Sequence, residues 1–174
     1  MDLRKEVVEW TKCILISVLI ALVIRTFIFN STKVIGSSMH PTLEENDRLF
    51  SNRIVYFIGE PKREDIIIIK APDDPKKDYI KRVVGVEGDK INIEDGNVYL
   101  NGEILEEKYI EPDSFTETHV DNSWEIPKGY LLVLGDNRAP GASKDSRSFG
   151  IVDKDSVKGK ASLRYYPWDK FGLL

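Results

Sequence analysis

The apolar residues of the chain follow two different patterns, which meet near residue 30. From Cys13 to Phe29 nearly every position is apolar, and Arg25 is the only charged residue. A bilayer-spanning helix needs about 20 such residues, and Arg25 can extend its guanidinium to the lipid headgroups. We therefore predict a transmembrane helix over residues 10–30. A buried core helix is the alternative, but it is disfavoured because the run is apolar on every side.

After residue 30, short runs of β-branched and aromatic residues alternate with turn residues, a pattern that favours strands. The segment INIEDGNVYLNG, residues 91–102, predicts a hairpin in which Ile91 and Ile93 face Val98 and Leu100 across a turn, residues 94–97, that contains Asp95-Gly96. Helical patterning is confined to the first thirty residues. We predict a mainly β fold, an antiparallel sheet or barrel-like domain behind one N-terminal transmembrane helix. Further strands are predicted within 47–57, 65–72, 78–86, 130–137 and 159–167, and surface loops at 73–77 and 112–122.

The predicted organisation has three parts. These are a short cytoplasmic N-terminus (1–9), a transmembrane anchor (10–30) and an extracytoplasmic β-rich domain (31–174). Basic residues before the apolar run favour a cytoplasmic N-terminus, although acidic residues lie among them. No pair of small residues follows the run as in a cleavable secretory signal, so we predict an uncleaved anchor. The expected location is the cell membrane, with a single pass.

Charge and composition exclude several classes of function. Lys and Arg number 25 and Asp and Glu 29, giving a net charge of −4 without an extended basic stripe. Nucleic-acid binding is therefore not expected. Cys13 is the only cysteine, and His40 and His119 are the only histidines. This excludes an intramolecular disulfide and a cysteine- or histidine-rich metal site, although carboxylates could still bind Ca²⁺ or Mg²⁺ without leaving a clear signal. The oligomeric state stays open.

Three distant segments carry groups that complement one another chemically. They are GSSMHPTL (36–43), YIKRVVGVEGD (79–89) and GDNRAPGASKDSRSFG (135–150). In this order, after an apolar run that ends in IRTFIF and before GKASLRYYP, they resemble the bacterial type I signal peptidase family. Its members are membrane-anchored serine proteases that use a lysine as general base, so the resemblance implies that no metal or organic cofactor is needed. The resemblance covers nearly the whole chain and implies an endopeptidase that removes N-terminal signal peptides from exported preproteins at the membrane surface.

The resemblance places the nucleophile on Ser38 and its general base on Lys81. A serine hydroxyl needs a partner to take its proton, and a lysine can do so only when neutral. The pKa of Lys81 must therefore fall from about 10.4 towards about 7–8, which desolvation can achieve. On a strand, Lys81 shares a face with Tyr79 and Val83, whereas Arg82 points to the other face. This apolar setting suits a buried lysine.

The resemblance also implies supporting roles. Ser143 matches the serine that orients the lysine, although Ala139-Pro140-Gly141-Ala142 stands where the family generally has two residues. The backbone N–H of Ser38 is the expected oxyanion donor, since Gly36 occupies the position where some members carry a serine. Two ion pairs should brace the site, Arg82 with Asp136 and Asp145 with Arg147. Shallow pockets for small side chains such as alanine should be lined by Val34, Met39, Leu43, Tyr79 and Ile80.

Three alternatives remain open from the sequence. His40 suggests a Ser–His–Asp site, but side chains two residues apart on a strand lie about 7 Å apart, too far for a direct hydrogen bond. His119 lies in a polar loop and is expected at the surface. A different Ser–Lys peptidase would keep the dyad but cut another precursor. A non-catalytic, membrane-tethered β-domain would not need Ser38 and Lys81 together.

Overall fold

A computed structural model describes residues 3–27, 30–118 and 121–174 of the chain. One long helix, α1 (Leu3–Phe27), precedes a β-rich body. The first seven strands and the helix among them are β1 (Asn30–Lys33), β2 (Arg48–Asn52), α2 (Val55–Ile58), β3 (Ile66–Lys70), β4 (Asp78–Gly85), β5 (Lys90–Glu94), β6 (Asn97–Leu100) and β7 (Glu103–Ile104). The remaining elements are β8 (Ser123–Glu125), β9 (Tyr130–Leu134), α3 (Ser146–Phe149), β10 (Val152–Asp153), β11 (Val157–Tyr166) and β12 (Gly172–Leu173).

The larger sheet has the order β1-β2-β11-β3-β4-β9-β10, and β12 pairs with β11. Every pairing in it is antiparallel. The central strand β3 reads IIIIK, and its four isoleucines are all buried. Ile67 and Ile69 pack into one core, whereas Ile66 packs into another that includes Met39 and Leu43. Because the sheet is covered on both faces, β3 is continuously apolar rather than alternating.

The smaller sheet has the order β7-β6-β5-β8. Its β5–β6 hairpin forms in the predicted register, with Ile91 opposite Leu100 and Ile93 opposite Val98. The turn residues Asp95 and Gly96 both have positive φ, as the tightest hairpin turns require. A core shared with β9 joins the two sheets; its buried members are Val84, Ile91, Ile93, Val98, Trp124, Ile126, Leu132 and Leu134.

The mainly β, antiparallel prediction is confirmed, but its local details need two corrections. The predicted strand over 47–57 ends at Asn52, whose side chain accepts the backbone N–H groups of Ile54 and Val55 and so starts the helical turn α2. Helix is therefore not confined to the first thirty residues, and α3 is a further exception. The predicted surface loop 112–122 includes a buried Thr116, which accepts a hydrogen bond from Arg138.

The long helix α1 presents apolar side chains such as Trp10, Ile14 and Leu19 outward from the body. Within the ranges described above, no helix is long and apolar enough to cross a membrane. The predicted transmembrane helix over 10–30 is therefore not confirmed. The predicted surface position of His119 lies outside the described residues.

Candidate active site

The candidate nucleophile Ser38 lies on a loop between β1 and β2. Hydrogen bonds from Val34 N to Asp47 O (2.8 Å) and from Asn46 N to Val34 O (3.0 Å) close the ends of this loop. The side chain of Met39, next to Ser38, is buried in the core of the larger sheet. This burial anchors the loop and leaves the Ser38 side chain partly exposed at the surface of the sheet.

Lys81 reaches Ser38 from β4. Its Nζ donates a hydrogen bond to Ser38 Oγ at 2.7 Å. This distance lies within the range of about 2.6–3.2 Å at which a general base can take a proton. Nζ also lies 5.4 Å from the centroid of the Tyr79 ring. Ser38 and Lys81 therefore lie close enough for a proton to pass between their side chains.

The environment of Lys81 favours its neutral form. Lys81 is 3% exposed, and this burial lowers its pKa from 10.5 to about 8. The negative charges of Asp145 and Asp136 oppose the shift, whereas the positive charge of Arg147 adds to it. Because desolvation penalises the ammonium form, a substantial fraction of the amine is neutral in mildly alkaline solution.

Two buried ion pairs hold the segments beside this lysine. Arg82, its neighbour on β4, binds both carboxylate oxygens of Asp136, from Nε at 2.8 Å and from Nη2 at 2.6 Å. Arg147 binds both oxygens of Asp145 at 2.8 and 2.7 Å. Burial alone would raise the pKa of Asp145, but Arg147 holds it below its usual value. Bidentate pairs of this kind fix orientation as well as charge.

Gly135 packs tightly between the first motif and Ser143. A Cβ at this position would lie 2.3 Å from the carbonyl oxygen of Ser38 and 2.3 Å from Oγ of Ser143. Two residues later, the backbone N–H of Asn137 donates to that Ser38 carbonyl at 3.1 Å, and its side-chain Nδ2 donates to the carbonyl of Ser37 at 3.0 Å. Two hydrogen bonds from the third motif therefore hold the backbone at Ser37 and Ser38.

A cleft of about 420 Å³ opens beside Ser38 and Lys81. Its two walls are residues 32–35 and 76–80. Among the residues that the structure describes, β4 pairs with β9 only from Arg82 onward, so the outer edge of its first half is unpaired, and β1 is an edge strand. Both walls therefore offer free backbone groups to an extended peptide. A larger depression of about 620 Å³ near Lys154 has no serine, threonine or cysteine in its lining.

Comparisons with known proteins show the family to which the chain belongs. The family described as signal peptidase, peptidase S26, matches residues 7–168. The chain belongs to this family. It is 35% identical to signal peptidase IB of Staphylococcus aureus (strain COL), over 97% of this chain and 94% of that protein. It is also 35% identical to signal peptidase I of Bacillus licheniformis, over 96% and 92%.

A solved structure is similar as well. The crystal structure of a signal peptidase I from Enterococcus faecalis V583 aligns with a TM-score of 0.51 and 31% identity, covering 60% of this chain and 98% of that one. As a member of the signal peptidase family, the protein is a serine endopeptidase that removes signal peptides.

Four of the five residues predicted to line the signal peptidase pockets do line the cleft: Val34, Met39, Tyr79 and Ile80. The fifth, Leu43, is not in the lining. It is fully buried and packs beneath the loop with Leu49 and Ala161. Leu43 therefore packs behind the residues that line the cleft and does not line it itself.

Ser143 differs from its predicted arrangement. It is buried, but among the described residues its Oγ has no hydrogen-bond partner, so no hydrogen bond to Lys81 is formed. The preceding four residues close in a turn, in which Ala142 N donates to Ala139 O at 3.0 Å. Ser143 Oγ lies close enough to Asp145 to help lower the pKa of that carboxyl group, without hydrogen-bond geometry.

His40 faces carboxylates with both ring nitrogens. Nδ1 lies 3.1 Å from Glu44 and Nε2 lies 3.3 Å from Glu111. Because Lys81 already holds the Ser38 hydroxyl, the structure gives no support to the Ser–His–Asp alternative.

Several residues that sequence reasoning missed also surround the site. Thr42 donates to Asp136 at 2.5 Å, and the ring of Tyr109 lies 4.0 Å from the Arg82 guanidinium. Gly135 and Asn137 could have been predicted from the sequence, because both lie in the third motif. Tyr109 belongs to no motif, and its contact with the site depends on the path of a long connection between β7 and β8.

Proposed function

We propose that Ser38 and Lys81 are the catalytic dyad with which this protein cleaves signal peptides. The hydrogen bond of 2.7 Å between the buried Nζ of Lys81 and Oγ of Ser38 carries the proposal. Ser38 attacks the scissile carbonyl while Lys81 accepts its proton, and Lys81 then protonates the leaving amine. Lys81 next takes a proton from water, which hydrolyses the acyl-enzyme ester and releases Ser38.

The remaining site residues support this chemistry without reacting. The Ser38 N–H stabilises the oxyanion, since Gly36 has no side chain to contribute. The pairs Arg82–Asp136 and Asp145–Arg147 hold the two segments that flank the dyad. Ser143 keeps a hydroxyl with no partner in the described structure, and we assign it to orienting the Lys81 amine when substrate fills the site. Catalytic hydrogen bonds are often completed only in the substrate complex.

The substrate is an extended segment of an exported preprotein. It adds a strand between the free edges at 32–35 and 76–80, so alternate side chains point into the cleft. The walls near Ser38 carry Met39, Tyr79 and Ile80, which leave room for small side chains at the first and third positions before the cut. Larger residues at those positions are excluded by contact with the walls.

The site works at the extracytoplasmic surface of the cell membrane, with residues 1–9 inside, residues 10–30 as the anchor and residues 31–174 as the peptidase domain. This placement is supported by the outward-facing apolar side chains of α1 and by its position directly before β1, one wall of the cleft. A signal peptide still lies in the bilayer when it is cut, so a tethered protease meets it there.

The dyad is tested with three variants on a purified preprotein. Ser38→Ala and Lys81→Ala should each lower the cleavage rate on the order of 1,000-fold or more, because both steps of the reaction need the pair. Ser37→Ala is the matched control, since its hydroxyl makes no hydrogen bond in the described structure. It should process at nearly the wild-type rate. Full processing by either dyad variant would overturn the assignment.

A further inference from the structure

A third ion pair lies near the site, between Glu107 and Arg138. The Arg138 side chain is 0% exposed and that of Glu107 5%. Arg138 Nη1 donates to Glu107 Oε2 at 2.9 Å, and Nη2 binds the other carboxylate oxygen. The Tyr109 hydroxyl also donates to Glu107, at 2.7 Å. Both oxygens of this buried carboxylate are therefore engaged.

Arg138 uses its remaining donors on the third motif and the loop beside it. Its Nε donates to the carbonyl of Gly135 at 2.9 Å, and Nη1 also donates to Thr116 Oγ1 at 2.9 Å. The N–H of Gly135 donates to Asp145 at 2.9 Å. Gly135 is thus held at its N–H and its carbonyl, while its Cα lies against the Ser38 carbonyl and Ser143 Oγ.

Glu107 reaches this position from the other sheet. It lies in the connection between β7 and β8 of the smaller sheet, which also brings Tyr109 over the guanidinium of Arg82. Burial alone would lower the pKa of Arg138, but the hydrogen bond to Glu107 raises it above its usual value. A buried guanidinium without a counter-charge is strongly unfavourable, so Arg138 keeps its place only while Glu107 keeps its charge.

We propose that Glu107 is a positioning residue for the cleavage reaction. Acting through Arg138, it fixes the Gly135 carbonyl and hence the spacing between Ser38 and Ser143. Neither Glu107 nor Arg138 lines the substrate cleft. The effect therefore falls on turnover and not on substrate binding. This inference rests on the proposed dyad. It adds that the Glu107–Arg138 pair must be intact to hold Gly135 beside Ser38.

The test compares kcat and KM for preprotein cleavage in Glu107→Gln and the wild-type protein. Glutamine has the same shape but no charge. We expect kcat to fall about tenfold or more, because small displacements of reacting groups are costly, and KM to stay within about twofold. Glu107→Asp restores the charge and should recover part of the lost kcat. Should Glu107→Gln not fold, Thr116→Val removes one acceptor of Arg138 and should give a smaller loss of kcat.

Two further measurements separate positioning from general destabilisation. Asp89 pairs with Arg63 away from the dyad and is equally buried at 4% exposure, so Asp89→Asn is the matched control. It should lower Tm without lowering kcat. The double variant Glu107→Gln/Arg138→Gln should lose no more kcat than Arg138→Gln alone, because both residues act through one contact.

Each outcome has a distinct meaning. A wild-type kcat in Glu107→Gln, an equal kcat loss in Asp89→Asn at matched loss of Tm, or additive losses in the double variant would overturn the positioning role. Unimpaired cleavage by Ser38→Ala would instead overturn the proposed dyad, which is measured independently of Glu107.

Discussion

At the scale of single residues, the behaviour of Lys81 is set by its burial. Its pKa of about 8 predicts that the cleavage rate rises with pH as the amine loses its proton. Below this pKa the rate should fall about tenfold per pH unit, whereas an ordinary lysine would move the midpoint to about 10.4. The measurement is kcat/KM on a short peptide from pH 6 to 10. A flat profile, or a midpoint above 10, would contradict a desolvated lysine base.

The same burial makes Lys81 costly to the fold. Its folded pKa lies below its unfolded value of 10.5, so between about pH 8 and 10.5 the unfolded chain binds more protons and stability rises with pH. Below about pH 8 Lys81 is protonated in both the folded and the unfolded state, so burial of its charge destabilises the fold to the full extent. Lys81→Met should therefore raise the free energy of unfolding at pH 6.5 by up to about 3 kcal/mol, at about 1.4 kcal/mol per pKa unit.

Urea denaturation at two pH values checks the sign of this effect. The advantage of Lys81→Met should shrink as the pH approaches 10, where the wild-type lysine is neutral. Lys90→Met provides the control, since the side chain of Lys90 is exposed and lies 3.8 Å from an equally exposed Glu125. Its stability should change little at either pH. A Lys81→Met protein that is less stable than wild type at pH 6.5 would refute the argument.

At the scale of elements, the site depends on how closely the third motif packs against the nucleophile loop. Gly135→Ala places a methyl group 2.3 Å from the backbone oxygen of Ser38, so that backbone must move. We expect kcat to fall on the order of 100-fold, since a displacement of about 1 Å has that effect on a reacting group. Gly172→Ala is the control, because nothing lies within 4 Å of its added Cβ and its φ is not positive. Equal kcat in the two variants would contradict the packing argument.

The elements also show where sequence reasoning succeeds and where it stops. The strand of four isoleucines and the hairpin at Asp95-Gly96 follow from local patterns, and both form as predicted. The prediction that the strand continues past Asn52 was wrong, because the apolar run IVYF fits a helical turn as well as a strand once the Asn52 side chain accepts the N–H groups of Ile54 and Val55. Local pattern therefore predicts the type of long elements better than their ends.

Contacts made by irregular connecting segments cannot be predicted from a repeating pattern of apolar and polar residues. Glu107 and Tyr109 lie in an irregular segment with no period, and their role depends on where the β7–β8 connection crosses the larger sheet. Ser38 and Lys81 could be predicted only because a family resemblance linked motifs 43 residues apart. That Ser143 Oγ has no hydrogen-bond partner in the described part of the chain could not be predicted, since its position depends on the path of the longer turn before it.

At the scale of the whole molecule, the core and the long helix are separate. Where the structure describes burial, the apolar clusters draw on residues from Val34 onward, whereas the described side chains of α1 lie mostly in contact with solvent. The dyad, both bracing pairs and the cleft walls likewise belong to residues after 30. Folding and the proposed chemistry therefore depend on the β-rich body, and the proposed membrane anchor is separate from both.

This separation predicts two different outcomes for a chain that begins at Asn30. Its kcat/KM on a short soluble peptide should stay within about twofold of that of the full chain, and its Tm within a few degrees. The reason is that none of the α1 side chains that the structure describes enters a buried cluster. Its cleavage of a preprotein embedded in lipid vesicles should fall at least about tenfold, since the protease is no longer concentrated at the surface where that substrate lies. The full chain carrying Ser38→Ala controls for non-enzymatic cleavage in the same vesicles. Equal rates on the embedded preprotein would show that α1 does not place the site at the bilayer, and a truncated chain inactive on the soluble peptide would show that α1 is part of the folded catalytic unit.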